Sequence, residues 1–187
     1  MPEERCAHAG KAGPASLQPP LLQGFDSWHP LGHPVFVETS NQSPDEPPEA
    51  ATPLPLLHIA DPTGEAIRHA GFRRVGLLGS RFTMEQDFYR ARLRDRHGLE
   101  ALVPGPEDRE RVHRVIYDEL CLGEIRPESR AVYSRVMADL VARGAEGIVL
   151  GCTEIALLVG PADATVPLFD TTALHARAAA ERALAVP

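Results

Sequence analysis

The feature that most constrains this chain is an alternation that starts near residue 53, in which short apolar runs of strand type are each followed by a stretch of helical period. "GEAIRHAG" reads as a short helix stopped by Gly71, and "RVGLLGS" as a buried strand that ends in a turn at Gly79 and Ser80. A long helix is expected from about Thr83, with Thr83 as its cap and Gln86 three residues on as in a capping box. That helix carries Met84, Phe88, Ala91 and Leu93 near one face and stops at Gly98. "LEALVP" is the next strand. "PEDRERVHRVIYDELCLG" and "PESRAVYSRVMADLVARG" both open with proline and acids and close with glycine, the asymmetry of helices. Strand 147–150, a short helix, strand "VPLFD" and a last helix "TALHARAAAERALA" complete the series. The pattern implies an α/β lobe with a parallel sheet and helices on both faces, containing strands 74–78, 99–103, 147–150 and 166–169.

The first 52 residues follow no such rule. Residues 1–55 hold 11 of the 18 prolines and carry neither a 3.6 nor a 2.0 period, so a proline-rich, irregular arm is expected over 1–52 and the lobe over 53–187. Within the arm only Pro34–Thr39 has the side chains of a strand. A net charge of -7 argues against a nucleic-acid partner, and no apolar run nears the roughly 20 residues of a membrane span. Three cysteines without paired spacing, and no apolar leader, point to a reducing cytoplasm. Lys11 is the single lysine and sits in the arm, which leaves no lysine in the lobe to hold pyridoxal phosphate as a Schiff base. The eight histidines lack metal-ligand spacing apart from "HPLGH" in the arm, and no metal site is expected.

In open parallel sheets, ligands sit at the carboxyl ends of the strands. Three loops fit that description: residues 79–83 ("GSRFT"), 151–154 ("GCTE") and 169–172 ("FDTT"). Each offers hydroxyls and backbone N–H groups at a helix start, which suits a carboxylate. Cys152 stands in the middle loop. A thiol at a helix N-terminus has its pKa lowered toward neutrality, so Cys152 reads either as a proton-transfer group or as a small residue packed at a strand end. On the first reading Cys152 should be alkylated fastest of the three cysteines, unless Cys6 wins by access alone. Cys121 is expected on the apolar face of a helix end and Cys6 in the arm without an activating neighbour, while His175 either faces the site or is solvated.

"RVGLLGSRFTMEQDFYRARL", "IYDELCLGEI", "GIVLGCTEIALLV" and "VPLFDTTALHA", in that order, closely resemble the second half of the aspartate/glutamate racemase family, and in particular its broad-specificity amino-acid racemases. The resemblance implies cofactor-independent racemisation of a small amino acid, aspartate or glutamate, held between two similar α/β lobes. One lobe supplies an acid/base from a T-N-T type motif and the other supplies the cysteine of GCTE. On this likeness Cys152 is one catalytic acid/base, and Ser80, Thr83, Thr153 and Glu154 line the substrate. The match begins near Leu54, and the arm spells neither the glycine-rich turn nor the T-N-T motif of the family's first lobe; "VETSNQS" comes nearest. Two readings follow from that departure. Either the chain is a racemase, or it is a truncated, catalytically silent remnant that binds a small carboxylate or a protein partner. A lobe without its companion would expose apolar surface, so a homodimer or poor solubility is expected.

Overall fold

A computed structural model describes residues 36–38 and 56–185. Strand β1 (Phe36–Glu38) pairs in parallel with β2 (Leu56–His58), from which the chain enters α1 (Ala60–His69). The order continues β3 (Arg74–Leu78), α2 (Arg81–Glu85), α3 (Asp87–His97), β4 (Glu100–Leu102), α4 (Pro106–Asp118), α5 (Pro127–Ala142), β5 (Ile148–Leu150), α6 (Ile155–Leu158), β6 (Leu168–Asp170) and α7 (Thr171–Leu184). Strands β3 to β6 form one parallel sheet in the order β4-β3-β5-β6. All four expected strands are there: 74–78 with the expected bounds, 99–103 and 147–150 shortened to 100–102 and 148–150, and 166–169 shifted to 168–170. The strand expected within 34–39 exists as β1; the rest of the 1–52 arm, with Cys6 and Lys11, lies outside the described residues.

The layering follows from the two-residue period of the strands. Val75 and Leu77 of β3 and Val149 of β5 point to one face, where Ile67 of α1 and Tyr89 and Leu93 of α3 cover them. Leu78, Ile148 and Leu150 point to the other, under Val112 and Ile116 of α4 and Val136, Met137 and Leu140 of α5. Every one of these side chains is buried. The result is three layers, helices over sheet over helices. At about 2–5 kcal/mol for truncating a buried leucine or isoleucine to alanine, each core is sensitive to single changes.

Two expectations about helices need correction. The helix placed from Thr83 to His97 is two helices. Ser80, in extended backbone, is the cap, its Oγ accepting from the Thr83 N–H at 3.3 Å, and the chain breaks at Gln86 (φ -80, ψ 151). The break has a packing cause, because Met84 belongs to the core of α4 and α5 whereas Tyr89 and Leu93 belong to that of α1 and α7. One straight helix could not serve both faces of the sheet. His175 is neither solvated nor at the site. It is buried, with Nε2 3.0 Å from the Leu57 carbonyl, and joins α7 to β2.

A partly buried ion cluster ties α1 to α3. Arg92 donates to both carboxylate oxygens of Asp61, at 2.9 and 2.7 Å, and His97 Nε2 lies 3.1 Å from Oδ1. Burial alone would raise the Asp61 carboxyl, but the Arg92 and His97 hydrogen bonds and the Arg92 charge outweigh it and hold the pKa at about 2. A depressed carboxylate stabilises the fold above its unfolded pKa and ceases to do so as pH falls through the folded value. Asp61→Asn is therefore expected to cost about 1–2 kcal/mol near neutral pH, after allowance for solvent screening. In urea unfolding the gap to the parent chain should narrow below pH 3.8 and close as pH falls through about 2.

Candidate functional site

The strand order fixes where a ligand can enter. From β3 the chain steps outward to β4 on one side, and from β5 outward to β6 on the other, so connections diverge between the carboxyl ends of β3 and β5. In parallel sheets, ligand crevices form at the carboxyl edge beside a switch point of this kind. Gly79 and Gly151 set the spacing of the loops there. A Cβ at Gly79 would lie 2.9 Å from Thr83 Cβ, and one at Gly151 would lie 2.8 Å from the Leu78 carbonyl oxygen, which itself accepts from Gly151 N–H at 2.7 Å. With hydrogen in place of both side chains, the loop holding Ser80 and Thr83 lies directly against the loop holding Cys152, Thr153 and Glu154. The third loop is fastened alongside, since Thr171 Oγ1 donates to the Leu150 carbonyl at 2.9 Å.

Within the crevice, Cys152 is half-buried and its thiol donates to Glu154 Oε2 at 2.8 Å. Ser80 Oγ and Thr83 Oγ1 lie 3.1 Å apart and share a hydrogen bond. Thr153 is exposed at the mouth, and its side chain also bonds the Glu154 carboxylate. Tyr133, buried on α5, donates its hydroxyl to the Val112 carbonyl at 3.0 Å, and burial, with Cys152 nearby, raises its pKa. All four residues expected beside Cys152 are thus gathered there. Tyr133 was not anticipated, because within a helix of apolar period nothing separates it from the rest of the core face.

The electrostatics reverse the expected activation of the thiol. Burial first, and then the hydrogen bond to the Glu154 carboxylate, push Cys152 up to about 12, whereas Glu154 is lowered by the Cys152 and Thr153 hydrogen bonds. Both shifts say the same thing: the proton stays on sulfur. The dipole argument fails here because α6 has four residues, too few to build much of a macrodipole. The other loops also offer fewer open N–H groups than expected. Ser80 occupies the Thr83 N–H, and Asp170 Oδ1 takes those of Thr172 and Ala173 at 2.9 and 3.2 Å. Cys121 is corrected as well. Leu120 takes the buried position of a 3-10 turn, so Cys121 beside it is exposed, its thiol raised by burial and by Glu154. Of the two described cysteines, Cys121 should react before Cys152 with an alkylating reagent.

A protonated thiol at the mouth of a crevice is a proton donor to an atom placed against it. Glu154 controls when it becomes a base. Glu154→Gln should lower the Cys152 pKa and raise its alkylation rate at mildly alkaline pH by a factor on the order of 10, the equivalent of about one pKa unit. The rate is read in a chain with Cys6 and Cys121 changed to serine. An unchanged or slower rate contradicts the assignment of Glu154 as the group that holds the proton in place.

The profile of the Asp/Glu/Hydantoin racemase family matches residues 49–179, which includes β2, the whole parallel sheet and the crevice. The chain belongs to this family. A candidate Asp/Glu racemase from Yersinia pestis is 58% identical and superposes with a TM-score of 0.70 over 73% of this chain and 59% of its own. An aspartate racemase homologue from Pyrococcus horikoshii OT3 is 34% identical, with a TM-score of 0.66 over 72% of this chain and 59% of its own. An uncharacterised protein encoded in the pnlA 3′ region of Pectobacterium carotovorum subsp. carotovorum is 33% identical over 104 residues, 56% of this chain and 67% of that protein. The chain therefore spans about 59% of the length of the two solved relatives it resembles. Among the described residues, no three or more His, Cys, Asp or Glu side chains gather in a way that could hold a metal ion, and no helix is long and apolar enough to cross a membrane.

Proposed function

We propose that the chain is a cofactor-independent amino-acid racemase acting on aspartate or glutamate, with Cys152 as one of the two acid/base groups that invert Cα. The observation that carries this reading is the thiol at the switch point, half-buried, its S–H donating to Glu154 Oε2 at 2.8 Å. Inversion removes the α-proton on one face and returns a proton on the other, and each group must be positioned within hydrogen-bond reach of Cα. Cys152 suits the returning step: its S–H bond breaks, its proton goes to the planar carbon, and the thiolate remains beside Glu154. In the reverse direction the thiolate takes the α-proton.

Ser80, Thr83 and Thr153 supply hydroxyls around the same crevice and orient the substrate's carboxylate by donating to it. A reducing cytoplasm suits a mechanism that needs a free thiol. The reading is tested by chiral chromatography after incubation of each enantiomer of aspartate and glutamate with the full chain. Appearance of the opposite enantiomer is the expected result. Tight binding of either amino acid with no conversion would favour instead a silent carboxylate-binding lobe.

A further inference from the structure

The two loops of the crevice carry opposite charge. On the β5 side stands Glu154, whose carboxyl the Cys152 and Thr153 hydrogen bonds hold below the usual range, so it is a carboxylate near neutral pH. On the β3 side, Arg81 lies in sequence between Ser80 and Thr83, and its side chain reaches toward α4. Its partner there is Glu110 at 3.8 Å, too long for a hydrogen bond. By contrast Arg74, Arg92 and Arg135 hold carboxylates at 2.8, 2.7 and 2.7 Å. The Arg81 side chain is 49% exposed, and its guanidinium keeps donors to spare.

A second donor is fixed beside it. The Arg81 backbone N–H donates to Nδ1 of His113 on α4, at 3.3 Å. A backbone N–H can only donate, so Nδ1 is the acceptor and the neutral ring carries its hydrogen on Nε2. Phe82 and Tyr117 flank the ring, with centroid distances of 6.4 and 4.7 Å. The loop's own N–H groups add nothing here, because those of Arg81 and Thr83 are taken by His113 and Ser80.

An amino acid with an acidic side chain brings two carboxylates and one ammonium. Glu154 attracts the ammonium and repels both carboxylates. The hydroxyls of Ser80, Thr83 and Thr153 serve the α-carboxylate, which leaves the side-chain carboxylate to be met by a positive charge. We propose that Arg81 and His113 form the subsite for that carboxylate, Arg81 by its charge and His113 through Nε2–H, and so select acidic over neutral amino acids. The inference rests on the racemase reading for the position of Cα. Glu110 competes with the substrate for the guanidinium, and an exposed pair of this length is weak enough to give way.

The test compares aspartate and glutamate with asparagine and glutamine, their neutral counterparts of nearly the same shape, with conversion followed by chiral chromatography. Arg81→Gln should raise KM for the two acids about ten- to a hundredfold, the loss of a hydrogen bond to a charged group, with kcat little changed. The preference for acid over amide should fall by the same factor. His113→Phe, which keeps the ring contacts and removes the N–H, should raise KM by a smaller factor, and Glu110→Gln should lower it. Circular dichroism checks that each variant keeps the parent fold. Binding is read separately by calorimetry with succinate and butyrate, which differ in one carboxylate. The full chain should bind succinate at least about tenfold more tightly, and Arg81→Gln should remove the difference.

Equal binding of the two acids by the parent chain, or a succinate preference that survives Arg81→Gln, overturns the subsite. So does inversion of aspartate or glutamate with KM unmoved by Arg81→Gln, which leaves the role of Cys152 intact. An unmoved KM in His113→Phe removes His113 from the subsite. Succinate selectivity that depends on Arg81, in a chain that inverts no amino acid, upholds the subsite and removes the racemase reading.

Discussion

Cys152→Ser is expected to lower Cα hydrogen exchange on aspartate and glutamate by about a hundred- to ten-thousandfold, the usual contribution of a positioned acid/base group. The substitution keeps size and hydrogen-bonding geometry, and a serine Oγ can still donate to Glu154. What changes is acidity. A hydroxyl is a weaker acid than even this thiol, whose pKa burial and Glu154 raise to about 12. The loss should therefore appear in the proton-transfer step, with substrate affinity nearly unchanged, because Ser80, Thr83 and Thr153 are untouched. Cys121→Ser provides the contrast. Cys121 is exposed on a 3-10 turn, and its replacement should leave exchange in place. Exchange measured by NMR in deuterated buffer distinguishes the two, and survival of full exchange in Cys152→Ser would mean that another group moves the proton.

Gly151→Ala should damage stability and activity together. The added methyl would lie 2.8 Å from the Leu78 carbonyl oxygen and 3.2 Å from both Leu77 Cδ1 and Thr83 Cγ2. Side-chain ends can shift, but the carbonyl is backbone and accepts the Gly151 N–H at 2.7 Å, so relief requires β3 and β5 to part at their carboxyl ends. Overpacking of this kind costs about 1–3 kcal/mol. The same separation pulls the Ser80 and Thr83 loop away from Cys152, and a misplacement near 1 Å can cost about a hundredfold in rate. Gly105→Ala is the control. Its Cβ meets nothing within 4 Å, and its φ of -60 is open to any residue. Urea midpoints of the two variants should differ clearly; equal midpoints would contradict the close approach of the loops.

The parallel sheet was legible because its two central strands are buried on both faces, so "VGLL" and "IVL" read as continuous apolar runs bounded by turns. Strand β2 was not recognised because it leaves the proline-rich "ATPLP" and runs into α1 after a single residue, so no turn marks its end. The break at Gln86 was hidden for a different reason. Periodicity records that Met84 and Leu93 are buried, but not that they are buried on opposite faces of the sheet. At the site, the spacing of "GCTE" correctly placed the thiol at a strand-to-helix turn. The direction of its pKa was not legible, since it depends on Glu154 folding back onto Cys152 and on a helix that stops after one turn. Likewise, the order of residues could not tell that Leu120 would turn inward and Cys121 outward.

The central claim is that Cys152 exchanges a proton with Cα of an acidic amino acid, and it is tested most directly by the full chain in deuterated buffer. Each enantiomer of aspartate and glutamate is followed by proton NMR, with chirality read from the same samples. The account predicts loss of the Cα proton signal in at least one of the two amino acids, with the opposite enantiomer appearing deuterated at Cα. A folded chain that leaves the Cα proton of all four enantiomers in place, at chain concentrations comparable to the substrate, would contradict it.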